Sequence, residues 1–217
     1  MTMLESYANG NTTYLTVVQG KLAKKVNDDT PGATKREYET KDWTKWVKYE
    51  IYYKSVTGLI TGLDFIDWAF WEQFAITLYK DGQNVKITVP TDWNYFSDFA
   101  KKLPNISLSK EVTLSVFDFE WDNWKRIKWV NIVQDWNKVY TYYYDAEKKK
   151  SINGFPEVDK KEAKWYDKDD WKVFFLKVKK FLKAEVIKQA KDVSKPTMIE
   201  ELPWDTSDEI SVEDLPF

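Results

Sequence analysis

Apolar and polar residues alternate with a period of two through the first two thirds of this chain, and no other feature narrows its fold as much. The runs are residues 14–18, 47–53, 59–65, 74–79, 85–89, 112–119, 127–133 and 139–144. Each is a short strand with one face in and one face out. Turn chemistry separates them. Asp81-Gly82-Gln83-Asn84 is a hairpin signal, Asp28 to Gly32 reads as a longer loop, and Asn153-Gly154-Phe155-Pro156 closes the last strand. Hairpin-sized joints imply antiparallel pairing.

Two stretches break the alternation. From Asp92 to Lys102 the aromatics Tyr95, Phe96 and Phe99 follow Thr91-Asp92 and precede Leu103-Pro104, which predicts one short helix between strands. From about Asp170 to Ala190, Trp171, Phe174, Phe175, Val178, Phe181, Leu182, Val186 and Ile187 recur at helical steps, with Lys172, Lys179, Lys180, Lys183 and Lys188 opposite. That helix reads as docked on the core with a solvated basic face; a basic rim beside a nucleic-acid groove, or a helix that pairs in a dimer, remains open. The expected fold is mostly β: an OB-fold-like antiparallel barrel with an inserted short helix and a C-terminal amphipathic helix. Residues 1–190 form the expected domain, and 191–217, rich in Pro, Ser, Thr and acids, an expected disordered acidic tail.

Charge is segregated along the chain. Residues 196–217 hold seven acids and no base, while residues 1–195 hold 28 acids and 33 bases, so a net −7 segment follows a net +5 body. There is no cysteine and no histidine, which removes disulfides, thiolate metal sites and the usual general base near neutral pH. No Walker A or dinucleotide-binding glycine pattern occurs, and the acids have no metal-ligand spacing. The expectation is a non-enzyme with no cofactor and no metal. The start lacks a signal-peptide pattern and no stretch reaches the roughly 20 apolar residues of a membrane span. A soluble intracellular protein without membrane contact is the corresponding expectation.

Twelve Trp, thirteen Tyr and twelve Phe exceed what a core of this size easily uses. Three Trp pairs share the form acid-Trp-x-x-Trp: Asp42-Trp43-Thr44-Lys45-Trp46, Asp67-Trp68-Ala69-Phe70-Trp71 and Glu120-Trp121-Asp122-Asn123-Trp124. Such rings either cap the open ends of a barrel or form stacking platforms for unpaired bases. Alternation places Val47, Tyr49, Ile51 and Tyr53 on one face and Trp46, Lys48, Glu50, Tyr52 and Lys54 on the other. The second face mixes cations with rings, as phosphate neutralisation and base stacking require. Trp124-Lys125-Arg126-Ile127-Lys128-Trp129 interleaves bases and Trp again, with cation–π packing on an exposed sheet as the competing use. Trp43, Trp46, Lys48, Tyr52, Lys54, Trp71, Trp124, Lys125, Arg126, Lys128 and Trp129 are therefore the candidate strand-binding residues.

The chain ends Glu213-Asp214-Leu215-Pro216-Phe217. This resembles the acidic tip of bacterial and phage single-stranded DNA-binding proteins, with Asp214, Leu215, Pro216 and Phe217 matching position by position. Gly20-Lys21-Leu22, the run 52–63 and the run 95–108 are similar to a group of tailed-phage proteins, including those of crAss-like phages, described as single-stranded DNA-binding. The likeness covers about Gly20 to Pro156, and Trp43, Trp71 and Trp136 stand where relatives tend to have turn formers. It implies an OB fold, cooperative or oligomeric coating of single-stranded DNA in the bacterial host cytoplasm, no catalysis, and a tip that recruits replication or recombination proteins. The tip chemistry agrees: Leu215, Pro216 and Phe217 suit a small apolar pocket, and Glu213, Asp214 and the terminal carboxylate a basic rim. Glu200-Glu201-Leu202-Pro203-Trp204 repeats the pattern thirteen residues earlier. A Trp-rich carbohydrate-binding β-sandwich and a virion assembly protein are the competing expectations; the basic interleaving and the acidic tip are unexplained by the first.

Overall fold

The computed structural model describes residues 12–39, 43–67, 71–92, 94–121, 125–159 and 161–193. Ten strands form one open sheet: β1 (Thr12–Val18), β2 (Lys21–Val26), β3 (Thr34–Glu39), β4 (Lys45–Tyr53), β5 (Val56–Asp67), β6 (Glu72–Lys80), β7 (Gln83–Pro90), β8 (Glu111–Trp121), β9 (Lys125–Gln134) and β10 (Asn137–Lys138), in the order β10-β9-β8-β5-β6-β7-β1-β2-β4-β3. The ladder does not close into a ring. β11 (Tyr144–Asp145) and β12 (Lys150–Ser151) make a separate small pair.

All neighbours in the large sheet are antiparallel except β1 and β7, which run parallel with Thr12 beside Asn84 and Thr16 beside Thr88. That parallel pair corrects the all-antiparallel expectation. The chain from β2 to β6 lies between these two strands in sequence, so no hairpin signal announces the contact. The β6–β7 hairpin follows its turn residues: Asp81 and Gly82 both have positive φ, 49° and 78°, as a two-residue turn matched to strand twist requires.

The sheet curls. Gly20, in the β1–β2 turn at φ 74°, lies so close to β8 that a Cβ there would sit 2.5 Å from the Asp118 nitrogen. Only glycine fits that backbone and that gap.

α1 (Asn94–Lys102) fills the inside of the curl. Tyr95, Phe96, Phe99 and Ala100 are all buried, and Phe74 packs against Phe96 and Phe99 with ring centroids 5.2 and 5.6 Å away. Each such ring contributes roughly 1.5–3 kcal/mol by burial. Asp98 locks the helix to β9, accepting from the Val130 amide and the Lys102 ammonium, both at 2.7 Å. A single core cluster runs from Leu15 through Val17, Leu22, Ile60, Phe74 and Ile132 to Leu182. α1 starts at Asn94 rather than Asp92, and a 3-10 turn over Leu103–Asn105, carrying Pro104, ends it.

α2 (Lys168–Ala190) begins two residues before its expected start, because the Asp167 side chain caps the Asp169 and Asp170 amides while Asp170 accepts from the Asp167 amide. Val178, Leu182 and Val186 form its buried stripe, and Lys183 bonds to Glu72 while lying over the Phe65 ring. Phe175 and Ile187, expected in the core, are exposed. Residues 139–143 are not a strand: the Tyr142 amide donates to the Lys101 carbonyl at 2.8 Å, so the end of α1 takes the bond that a neighbouring strand would have taken.

Candidate nucleic-acid interface

The register of three strands assembles a mixed face around β4. Tyr38 lies opposite Trp46, Arg36 opposite Lys48 and Thr34 opposite Glu50 across the β3–β4 ladder; Lys25 lies opposite Glu50 and Ala23 opposite Tyr52 across β2–β4. Paired residues share a face of a sheet. Trp46, Lys48 and Tyr52, foreseen from alternation, are therefore joined by Arg36 and Tyr38 of β3 and by Lys21 and Lys25 of β2. The cations lie over the rings: Lys48 is 4.9 Å and Arg36 5.2 Å from the Tyr38 centroid, and Lys21 is 5.2 Å from that of Tyr52. Tyr rings are thus oriented by ammonium and guanidinium groups before any ligand arrives.

Glu50 sits in the middle of this face at 4% exposure. Arg36 grips it with two bonds of 2.7 Å, from Nε to Oε2 and from Nη2 to Oε1, and the Tyr52 hydroxyl donates to Oε2 at 2.8 Å. The Arg36 bond, opposed by burial, holds the Glu50 carboxyl below the ordinary carboxylate value, and the same bond raises Arg36. Burial first, then the bond to Glu50, raises the Tyr52 phenol. The pair fixes β3 against β4 and neutralises one cation. Lys21, Lys25 and Lys48 carry the remaining positive charge of the face.

The β8–β9 arm separates what the sequence interleaves. Phe117 pairs with Trp129, Asp118 with Lys128 and Glu120 with Arg126. Arg126 and Lys128 consequently share one face with two acids, and Arg126 is bonded to Asp118 at 2.6 Å, which raises its pKa. Trp129 is on the other face, stacked on Phe117 at 5.2 Å and edge-on to Phe119 at 4.7 Å. Arg126 and Lys128 therefore do not mix with Trp129, because residues an odd number apart on a strand face opposite ways. Lys125 opens β9, and Trp124 lies outside the described residues.

The other expected residues occupy ends and turns. Trp43, in the connection before β4, is 79% exposed with φ 61°, and Trp46 beside it is 54% exposed. Lys54 is exposed between β4 and β5, and Trp71 is 52% exposed ahead of β6. Trp136 is 99% exposed at φ 65°, so two of the three Trp standing at turn-former positions do adopt left-handed backbone. The Gly20 contact places the Lys21–Tyr52 end of the mixed face next to β8 at Asp118. Glu213, Asp214, Leu215, Pro216 and Phe217, and the earlier copy at 200–204, lie outside the described residues.

No protein-family model, curated protein or solved structure matches this chain. Among the described residues no cluster of three or more His, Cys, Asp or Glu is placed to hold a metal ion. The described carboxyls with a clear pKa shift, Glu37, Glu50, Glu72 and Asp145, all shift downward. A carboxyl held ionised accepts hydrogen bonds but delivers no proton near neutral pH. What the face offers is fixed rings and positive charge. Sequence reasoning missed Lys21, Lys25, Arg36, Tyr38 and the role of Glu50; Arg36-x-Tyr38, cation and ring two apart, was the available signal.

Proposed function

We propose that this chain is a sequence-independent single-stranded DNA-binding protein that coats exposed strands during phage DNA replication or recombination, without catalysis of its own. The observation that carries the reading is the β3–β4–β2 face, where Arg36, Tyr38, Trp46, Lys48, Tyr52, Lys21 and Lys25 alternate charge and ring across three registered strands. Bases stack on aromatic faces for about 1–3 kcal/mol each whatever their identity, and lysines neutralise the phosphates between them. The curl of the sheet around α1, with the β1–β2 turn against β8, supports an OB-like barrel in which this face is the strand-binding surface. The tip at 213–217 is the recruiting element for replication or recombination proteins in the host cytoplasm.

Titration of the intrinsic aromatic fluorescence with poly(dT) at two salt concentrations tests this. Quenching is expected at low salt, with affinity falling by a log–log slope of about −2 if Lys21, Lys25 and Lys48 each neutralise a phosphate. No quenching at low salt overturns the reading. The carbohydrate-binding reading is favoured by one observation: Trp129, Phe117 and Phe119 form a ring cluster on a face away from Arg126 and Lys128. Glycan binding insensitive to salt and abolished by Trp129→Ala would establish it instead.

A further inference from the structure

The first half of α2 carries a surface that the mixed β face does not use. Trp171 and Phe175 stack at 5.9 Å and 28°, and with Leu176 they line an open groove of about 1080 Å³ against the start of α1, where Thr91 and Asn94 form the other wall. Lys168, Lys172 and Lys179 rim it, opposed by Asp92 and Asp169. Phe175 is 60% and Leu176 50% exposed. An apolar floor with a cationic rim suits a short acidic segment carrying an aliphatic and an aromatic side chain.

We propose that the groove is the docking site of this chain's own Glu200-Glu201-Leu202-Pro203-Trp204, with Leu202 and Trp204 on Trp171, Phe175 and Leu176, and Glu200 and Glu201 at the lysine rim. Charge selects this occupant over a second copy of α2. The helix holds seven lysines and three acids, net +4, so two α2 faces would repel, whereas residues 196–217 hold seven acids and no base. Reach agrees as well. Phe175 lies about 22 Å along the axis from Ala190 at helical rise, and the nine residues from Val193 to Leu202 span up to about 30 Å when extended. The nearer of the two acid-Leu-Pro-aromatic copies thus returns along the helix with the shorter loop, which closes at lower entropic cost. The tip at 213–217 is left for partners. Docking of the nearer copy does not rest on the strand-binding reading.

Because the full chain contains no cysteine, paired thiols test the idea without background. Leu176→Cys with Asp205→Cys is expected to oxidise to an intramolecular disulfide at least tenfold faster than Lys177→Cys with Asp205→Cys, in which the tether is one residue shorter but residue 177 does not line the groove. Adding Glu200→Lys and Glu201→Lys removes the difference. Equal rates for the two pairs overturn the proposal, as does a product dominated by linked dimers, which assigns the groove to a second copy. Hydrogen exchange in the otherwise unaltered chain is the second readout: residues 168–179 exchange faster when Leu202 and Trp204 are replaced by Ala. Protection of that segment that appears only on adding oligo(dT) also overturns the proposal and gives the groove to the strand. The first experiment contains no DNA, so its failure and failure of poly(dT) binding are separate results.

Discussion

Glu50 is the residue on which the mixed face depends, because its carboxylate is buried between two strands and satisfied by Arg36 and Tyr52. Its folded pKa is lowered, so its contribution to stability is full above the ordinary carboxylate value of about 4.3 and is lost as pH falls through the folded value. Glu50→Gln keeps the shape but leaves the guanidinium uncompensated. Arg36 retains 22% side-chain exposure, so the cost falls below the roughly 3–5 kcal/mol of a fully buried broken pair, at about 1–2 kcal/mol, or 2–8 °C in Tm. Melts followed by circular dichroism should show that gap near pH 7 and its shrinkage as pH falls below the ordinary carboxylate value and through the lower folded one; a gap constant with pH contradicts the assignment. The rings of the face behave differently. Trp46→Ala removes a half-exposed ring and should leave Tm nearly unchanged while weakening oligo(dT) binding by about 1–3 kcal/mol, read by anisotropy of a labelled strand. Trp129→Ala should do the reverse, since its ring is packed on Phe117 and Phe119.

At the scale of elements, the β1–β2 turn is packed tightly against β8 at Gly20. Gly20→Ala meets both the left-handed backbone at φ 74° and the Asp118 nitrogen 2.5 Å away, whereas Gly82→Ala meets only its φ of 78°, with open space around it. The second substitution should cost about 1 kcal/mol and the first roughly 2–4 kcal/mol, with weaker oligo(dT) binding for Gly20→Ala alone. Equal losses in denaturant midpoints would detach the turn from the curl. How far these elements were legible follows from the range of the interactions that make them. The β6–β7 hairpin was readable because Asp81-Gly82 sits between alternating runs, and α1 because Tyr95, Phe96 and Phe99 recur at helical spacing ahead of a proline. β3 was not, since Thr34–Glu39 is mostly charged and becomes a strand through its pairing with β4. The β1–β7 contact joins residues about seventy apart, and only tertiary packing specifies it. The separation of Arg126 and Lys128 from Trp129 was implicit in strand parity, but which face carries Asp118 and Glu120 required the β8–β9 register. The site was legible on β4 and illegible where its partners came from β2 and β3.

Over the whole molecule, charge is distributed so that a body of net +5 is followed by 22 residues of net −7. Two opposite effects on strand binding follow. In the proposed function the body attracts phosphate through the lysines of the β2–β4 face, and the acidic segment, which follows α2 in the chain, repels the same strand over a screening length of about 10 Å at 0.1 M salt. A chain ending at Lys195 removes the second effect and leaves the first. Its affinity for oligo(dT) should rise several-fold below 0.1 M salt, and the two chains should converge as salt approaches about 1 M, where screening shortens to about 3 Å. On the proposed reading, in which residues 213–217 recruit replication or recombination proteins, that recruitment should be lost at every salt concentration. An affinity gain that persists undiminished at high salt would mean that the tail occupies the strand-binding face by apolar contact, and its docking partner would then be the rings of β4 and β3 rather than the groove on α2.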